Sequence, residues 1–198
     1  MRRTIGVLVL GGAICAATSA MAAPDAYTVV QRIPLANAGF ESEARGPRGD
    51  PEGWLATQHA GEVSYRFTVD TAEHHEGSRS LRIENIGKEP FGALEQSLPA
   101  TAFQGRTIRY SAWLKTRGAS GKGASLVASA EGMGALVAHN FMTDEEVTGT
   151  QDWRKVAITL AIPAYAGSVR VGVMLQGPGT VWFDAAELEI VTAAPARQ

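Results

Sequence analysis

A two-residue alternation of apolar and polar side chains, recurring in three separate stretches, constrains this chain more than any other feature. Ile108, Tyr110, Ala112 and Leu114 alternate with Arg109, Ser111, Trp113 and Lys115. Val156, Ile158, Leu160 and Ile162 alternate with Lys155, Ala157, Thr159 and Ala161. Val169, Val171, Val173 and Leu175 alternate with Arg170, Gly172, Met174 and Gln176. Successive side chains of a strand point to opposite faces, so each stretch makes a strand with one apolar and one mixed face. Shorter strands are expected at 27–33, 63–69, 80–86, 91–98, 124–129 and 180–190. Turn signals separate them: Gly46-Pro47, Gly49-Asp50-Pro51, Glu76-Gly77 and Gln176-Gly177-Pro178-Gly179. The glycine-rich segment 118–123 reads as a hairpin-type connection. No long stretch has helical period, so the chain is expected to be all-β, a sandwich or a barrel.

The first residues point to export. Arg2 and Arg3 precede a short apolar run from Ile5 to Ala17, and Ala20-Met21-Ala22 offers a small-x-small cleavage pattern. That order is a secretory signal, and the run is too short to span about 30 Å of hydrocarbon as a permanent helix. Residues 1–22 are therefore expected to be removed, giving a periplasmic or secreted protein with no membrane segment after cleavage. Cys15 is the only cysteine and leaves with the signal, so the mature chain has no disulfide, thiol nucleophile or thiolate metal site. About 175 residues remain, enough to bury roughly 70% of the unfolded surface in one domain. That domain is expected over 23–192, with a frayed tail at 193–198. Without Arg2 and Arg3 the 18 basic residues become 16 against 20 acidic ones, a balance that argues against nucleic acid as partner.

No catalytic motif stands out. No serine lies in a Gly-x-Ser-x-Gly elbow. Gly121-Lys122-Gly123 lacks the hydroxyl residue of a phosphate loop, and Thr116 stands where its first glycine belongs. His74 and His75 are adjacent, with only His59 and His139 besides, which is poor spacing for a metal site. Nothing in the sequence singles out a glycosidase pair of carboxylates.

A succession of short motifs runs through the chain. Asn37-Ala38-Gly39-Phe40-Glu41 is followed by Gly53-Trp54, Tyr65, Asp70, Gly77 with Ser80-Leu81-Arg82-Ile83, and Gln96. Then come Phe103-Gln104-Gly105-Arg106, Tyr110-Ser111-Ala112-Trp113-Leu114-Lys115, Trp153 and Val181-Trp182-Phe183-Asp184. The order resembles the galactose-binding-type jelly roll of carbohydrate-binding modules, families 4, 9 and 22. The second half, with Thr148-Gly149-Thr150-Gln151-Asp152-Trp153 and Val171-Gly172-Val173-Met174, is similar to accessory jelly rolls of bacterial tricorn-type peptidases and regulator-like proteins.

The resemblance implies a two-sheet antiparallel jelly-roll β-sandwich and a structural calcium ion. Its ligands would be Glu41 and Asp184, with carbonyls near 74–77, in keeping with calcium's demand for six to eight hard oxygens. It also implies a sugar site on one open sheet face. Trp113 on a mixed strand face is the expected stacking platform, Arg109 lies beside it, and Arg170 and Gln176 supply hydrogen bonds. The segment His139-Asn140-Phe141-Met142 is a further candidate for lining the groove. The leading expectation is a non-catalytic exported module that binds an oligo- or polysaccharide. The alternative is a structural or protein-interaction domain with an exported partner protein, its corresponding face flat, charged or covered by a loop. An enzyme would need a deep pocket with close titratable groups of displaced pKa.

Overall fold

A computed structural model describes residues 27–46, 49–143 and 145–194. The expected signal segment and residues 195–198 of the expected tail lie outside the described residues. Ten strands follow in order: β1 (Tyr27–Ile33), β2 (Leu55–Gln58), β3 (Tyr65–Asp70), β4 (Ser80–Asn85), β5 (Gly92–Pro99), β6 (Thr107–Gly132), β7 (Ala135–Asn140), β8 (Val147–Ala161), β9 (Ser168–Gln176) and β10 (Thr180–Ala193). A short 3-10 turn, Ala100–Ala102, leads from β5 towards β6. Among the described residues no helix is long and apolar enough to cross a membrane.

Every pairing is antiparallel, and β6 belongs to two layers. Its first half, 107–117, pairs with β10 on one side and β8 on the other. Its second half, 123–131, pairs with β9, and 128–132 with β7. The first layer is completed by β4 and β1, which share the far edge of β10, and by β3 beside β4. The second layer runs β2-β5-β9-β6-β7. The result is an all-β two-layer jelly roll, as expected.

The alternation assigns the core correctly. Ile108, Tyr110, Ala112, Leu114, Val169, Val171, Val173 and Leu175 are all fully buried between the layers. Three expectations need correction. Residues 118–123 are not a hairpin, because the two halves of β6 never pair with each other; they are a bend that carries one strand from the first layer to the second. Gly123 makes that bend with φ +76°, and a Cβ there would strike the Val147 carbonyl. Second, β2 and β7 form where no strand was expected, and β8 starts at Val147 rather than near Lys155. These segments are short or carry Gly149, and cross-strand partners hold them despite weak local patterns. Third, β10 extends to Ala193, which pairs with Tyr27, one residue into the expected tail.

Between β1 and β2 the chain doubles back at Asn37 (φ 45°) and Phe40 (φ 60°). The Asn37 side chain accepts the Ser42 N–H at 2.9 Å, and the turn drives the Phe40 ring into the core. There Phe40, Trp54 and Phe183 form a triangle with ring centroids 5.5 Å apart. Trp54 Nε1 donates to the Ala36 carbonyl at 2.9 Å. The buried Gln96 amide clamps Ala36 from both sides, accepting its N–H at 2.9 Å and donating to its carbonyl at 3.0 Å.

Candidate functional site

The outer face of the first layer holds Trp113 and Arg109, and both are engaged by the protein itself. The loop between β3 and β4 folds across this face. Its His75 imidazole stacks on Trp113 at 3.6 Å between centroids and 15° between planes, and Trp153 meets His75 edge-on at 5.8 Å. Glu73 of the same loop pairs with Lys115 at 2.9 Å and holds the Lys115 ammonium above its usual range. Arg109 donates twice to the buried Glu189, at 3.0 and 2.8 Å. This face is loop-covered and charged.

The same loop brings Glu41 and Asp184 together. Asp184 is fully buried; its Oδ2 accepts the N–H groups of His75 (2.8 Å) and Glu76 (3.0 Å), and Oδ1 accepts that of Ala185 (2.6 Å). Glu41 accepts the N–H of Ser78 (2.9 Å) and Arg79 (3.0 Å) and the Ser78 hydroxyl (2.7 Å). The exposed Glu41 is held below the usual carboxylate range by these Ser78 bonds, whereas burial pushes Asp184 above it despite three N–H donors. Every donor here is an N–H or O–H. Such groups satisfy the carboxylates directly.

Arg170 and Gln176 lie on the opposite side of the molecule, on the outer face of the second layer. The four expected ligand residues therefore do not share one site. Around Gln176 this face sinks into a cleft of ≈320 Å³, lined by Thr57, Phe91, Ala93, Glu95, Val127, Phe141, Met174 and Gln176. Cross-strand register sets the neighbours of its floor. Leu55, Glu95, Gly172 and Val127 form one row across four strands, each directly opposite the next. Gly172 contributes no side chain to that row, and a Cβ on it would run into the Leu94 carbonyl, so only glycine lets β5 and β9 approach this closely.

Two phenyl rings border the cleft. Phe91, just before β5, is braced edge-on by His59 at 5.9 Å, and His59 Nδ1 in turn meets Glu89 at 2.6 Å. Phe141, just after β7, packs against His139 at 4.8 Å. At the floor stands Glu95, half-buried; among the described residues no hydrogen bond or ion pair reaches its carboxylate. Burial raises its pKa, with Arg170 opposing and Glu131 adding to the rise. Arg170 is itself engaged by Glu131, at 3.1 and 3.2 Å to the two carboxylate oxygens. A larger hollow, ≈470 Å³, lies along β8, but charged side chains such as Glu145, Glu146, Arg154 and Lys155 dominate it and no ring faces it.

Of the groove candidates 139–142, Phe141 lines this cleft on the second layer and not a groove beside Trp113, and Gln176 stands on the mixed face of β9. Sequence reasoning missed Phe91, Glu95, Val127 and Met174. Glu95 had a visible signal, the one charged residue of its strand. Its meaning depended on which strand lies opposite, and the local pattern does not say.

No protein-family model matches the chain. In fold it is similar to a xylan-binding family 22 carbohydrate-binding domain from Paenibacillus barcinonensis, at 16% identity and TM-score 0.59, covering 87% of this chain and 100% of that one. A family 22 module of Clostridium thermocellum Xyn10B, solved to define conserved residues in its ligand-binding cleft, gives 15% identity and TM-score 0.53 over 85% and 96%. These likenesses show the fold, a jelly roll of the kind found in carbohydrate-binding modules. The same fold is shared with a Stig cyclase from Fischerella sp. TAU, solved with an indole derivative, at 16% identity and TM-score 0.55 over 83% and 98%. In sequence the chain is similar to the HTH-type transcriptional regulator YbfP of Bacillus subtilis, 27% identical over 139 residues. That match spans 67% of this chain and 46% of the regulator, so this chain covers about half of that relative's length.

Proposed function

We propose that this protein is an exported, non-catalytic carbohydrate-binding module whose site is the cleft of the second layer. One observation carries the reading: two braced phenyl rings, Phe91 and Phe141, border a mostly apolar cleft whose polar lining groups are Glu95, Gln176 and Thr57. Sugars present C–H faces that pack on rings and hydroxyls that need carboxylate or amide partners, and this lining offers both. The likeness of fold to xylan-binding modules supports it. The volume suits about one or two sugar rings, at the small end for ligand pockets. Export rests on the signal-like residues 1–22, and kinship with the accessory jelly rolls of peptidases and regulators rests on the motifs of 148–179.

A glycan array followed by titration calorimetry tests the reading. Phe91→Ala and Phe141→Ala are each expected to weaken binding about tenfold or more. Trp113→Ala, on the covered face, is expected to leave affinity unchanged. Loss of binding in Trp113→Ala with retention in both phenylalanine variants would move the site to the first layer. Silence of the folded protein on every glycan would sink sugar binding.

The Stig cyclase fold and the raised carboxyl of Glu95 favour one second reading, an enzyme that protonates a small apolar substrate. Recovering the bound ligand chemically unchanged after long incubation excludes it, and turnover lost in Glu95→Gln establishes it.

For the Glu41–Asp184 corner we propose direct tethering of the β3–β4 loop by the two carboxylates. Removing calcium with EDTA is then expected to shift Tm by less than about 2 °C. A resident calcium ion at a hundred times its dissociation constant would add about 2.7 kcal/mol, and chelation would lower Tm by roughly 5–10 °C.

A further inference from the structure

Resting on the sugar-binding reading of the cleft, we infer that the site prefers a sugar ring bearing a free, protonated amine over its neutral or acidic counterparts, with Glu95 as the residue that sets this preference. The argument begins with the charges that face the cleft. Arg170 of β9 is the cation whose charge acts on Glu95, and Glu131 of β6 already engages its guanidinium through both carboxylate oxygens. Glu89, behind Phe91, is taken up by His59. Glu95 of β5 is left as a negative charge that no described residue meets with a hydrogen bond or an ion pair.

Its surroundings strengthen whatever does meet it. Glu95 lies between Leu55 and the bare backbone of Gly172, with Ala93, Met174 and Phe141 lining the same cleft. In such a setting an attraction between opposite charges is less screened than at an open surface. A neutral hydroxyl donates one ordinary bond to the carboxylate. An ammonium donates a charge-assisted bond about twice as strong. A carboxylated or sulfated sugar would bring a second negative charge to Glu95 and be repelled. The Gln176 amide, with both a donor and an acceptor, accommodates the ring hydroxyls of any of these sugars and so does not discriminate among them. The ligand class is therefore a glucosamine-type sugar, a hydroxyl-bearing ring with an unacetylated amine.

The test uses the full chain and four probes in calorimetry at neutral pH: glucosamine di- and trisaccharides, their N-acetylated counterparts, xylo-oligosaccharides and glucuronate-containing oligosaccharides. The amine-bearing probes are expected to bind at least about tenfold more tightly than the N-acetylated ones, with the glucuronate probes weakest. In Glu95→Gln, which keeps the shape of the side chain, the ratio of amine to N-acetyl affinity is expected to fall to about one. The variant also checks its own folding. A carboxyl whose folded pKa is raised binds its proton more tightly in the folded state, so it lowers stability as pH climbs through the interval between its unfolded and folded values. Glu95→Gln removes that cost and is expected to melt no lower than the parent at neutral pH. Equal binding of amine and N-acetyl probes by the parent protein, or a preference that survives in Glu95→Gln, overturns the inference while leaving sugar binding in place. Silence on all four probes overturns the sugar reading and the inference with it.

Discussion

Phe183→Ala is expected to cost about 3–5 kcal/mol of folding stability, the largest loss of any single truncation considered for this protein. Phe183 is fully buried and points inward from β10, the strand to which β1, β4 and β6 all pair. Its ring meets Phe40 and Trp54 at 5.5 Å each, in edge-on geometries of 63° and 81° that suit the ring quadrupoles. Removing it leaves a hole that its neighbours cannot fill. Phe40 is held by the turn at Asn37–Phe40, and Trp54 is fixed by its hydrogen bond to Ala36. Urea unfolding reads the effect as a lower midpoint with an unchanged slope. Phe183→Leu, which keeps part of the volume, is expected to lose clearly less. A loss below about 1.5 kcal/mol in Phe183→Ala would mean that the aromatic triangle collapses onto the gap, and that the turn is softer than its hydrogen bonds imply.

Asp184→Ala is expected to cost about 3 kcal/mol, and for a different reason. The next residue along β10 points outward, yet it is fully buried because the β3–β4 loop lies over it. Truncation leaves the N–H groups of His75, Glu76 and Ala185 without their carboxylate acceptor, and an unmet donor costs more than a bond is worth on average. Asp184→Asn should fall between parent and alanine variant, because an amide keeps one acceptor but turns its NH2 towards donors. Hydrogen exchange separates this loss from a global one: the amides of His75 and Glu76 should lose protection first, while those of β9 keep theirs. The stack of His75 on Trp113 should loosen together with them. If the two loop amides stay protected in Asp184→Ala, the loop is held by Glu41 and the His75–Trp113 stack alone.

Both residues belong to Val181-Trp182-Phe183-Asp184, and the run illustrates what local pattern reveals. Phe183 points inward and Asp184 outward, as side chains alternate along a strand. Alternation does not reveal that Trp182, also on the outer face, is 1% exposed. That burial comes from Arg117 over the ring at 4.7 Å and from Asp70 accepting the indole N–H at 2.8 Å, partners far away in sequence. Trp113 repeats the lesson. Its mixed strand face marked it as an open platform, yet the 71–79 loop supplies the ring that covers it.

What this sequence determined by itself is therefore the class of the fold and the inward face of its long strands. Apolar burial is the dominant favourable term, and a period of two writes it into consecutive residues. The tertiary structure alone decided that 118–123 is a bend between layers, that Arg109 and Trp113 lie on the far side from Arg170 and Gln176, and that Glu95 shares a row with Gly172 and Val127. Each of these depends on which strand pairs with which and in what register. Pairing is settled by the simultaneous closure of contacts far apart in the chain, and a one-residue slip would turn every outward side chain inward.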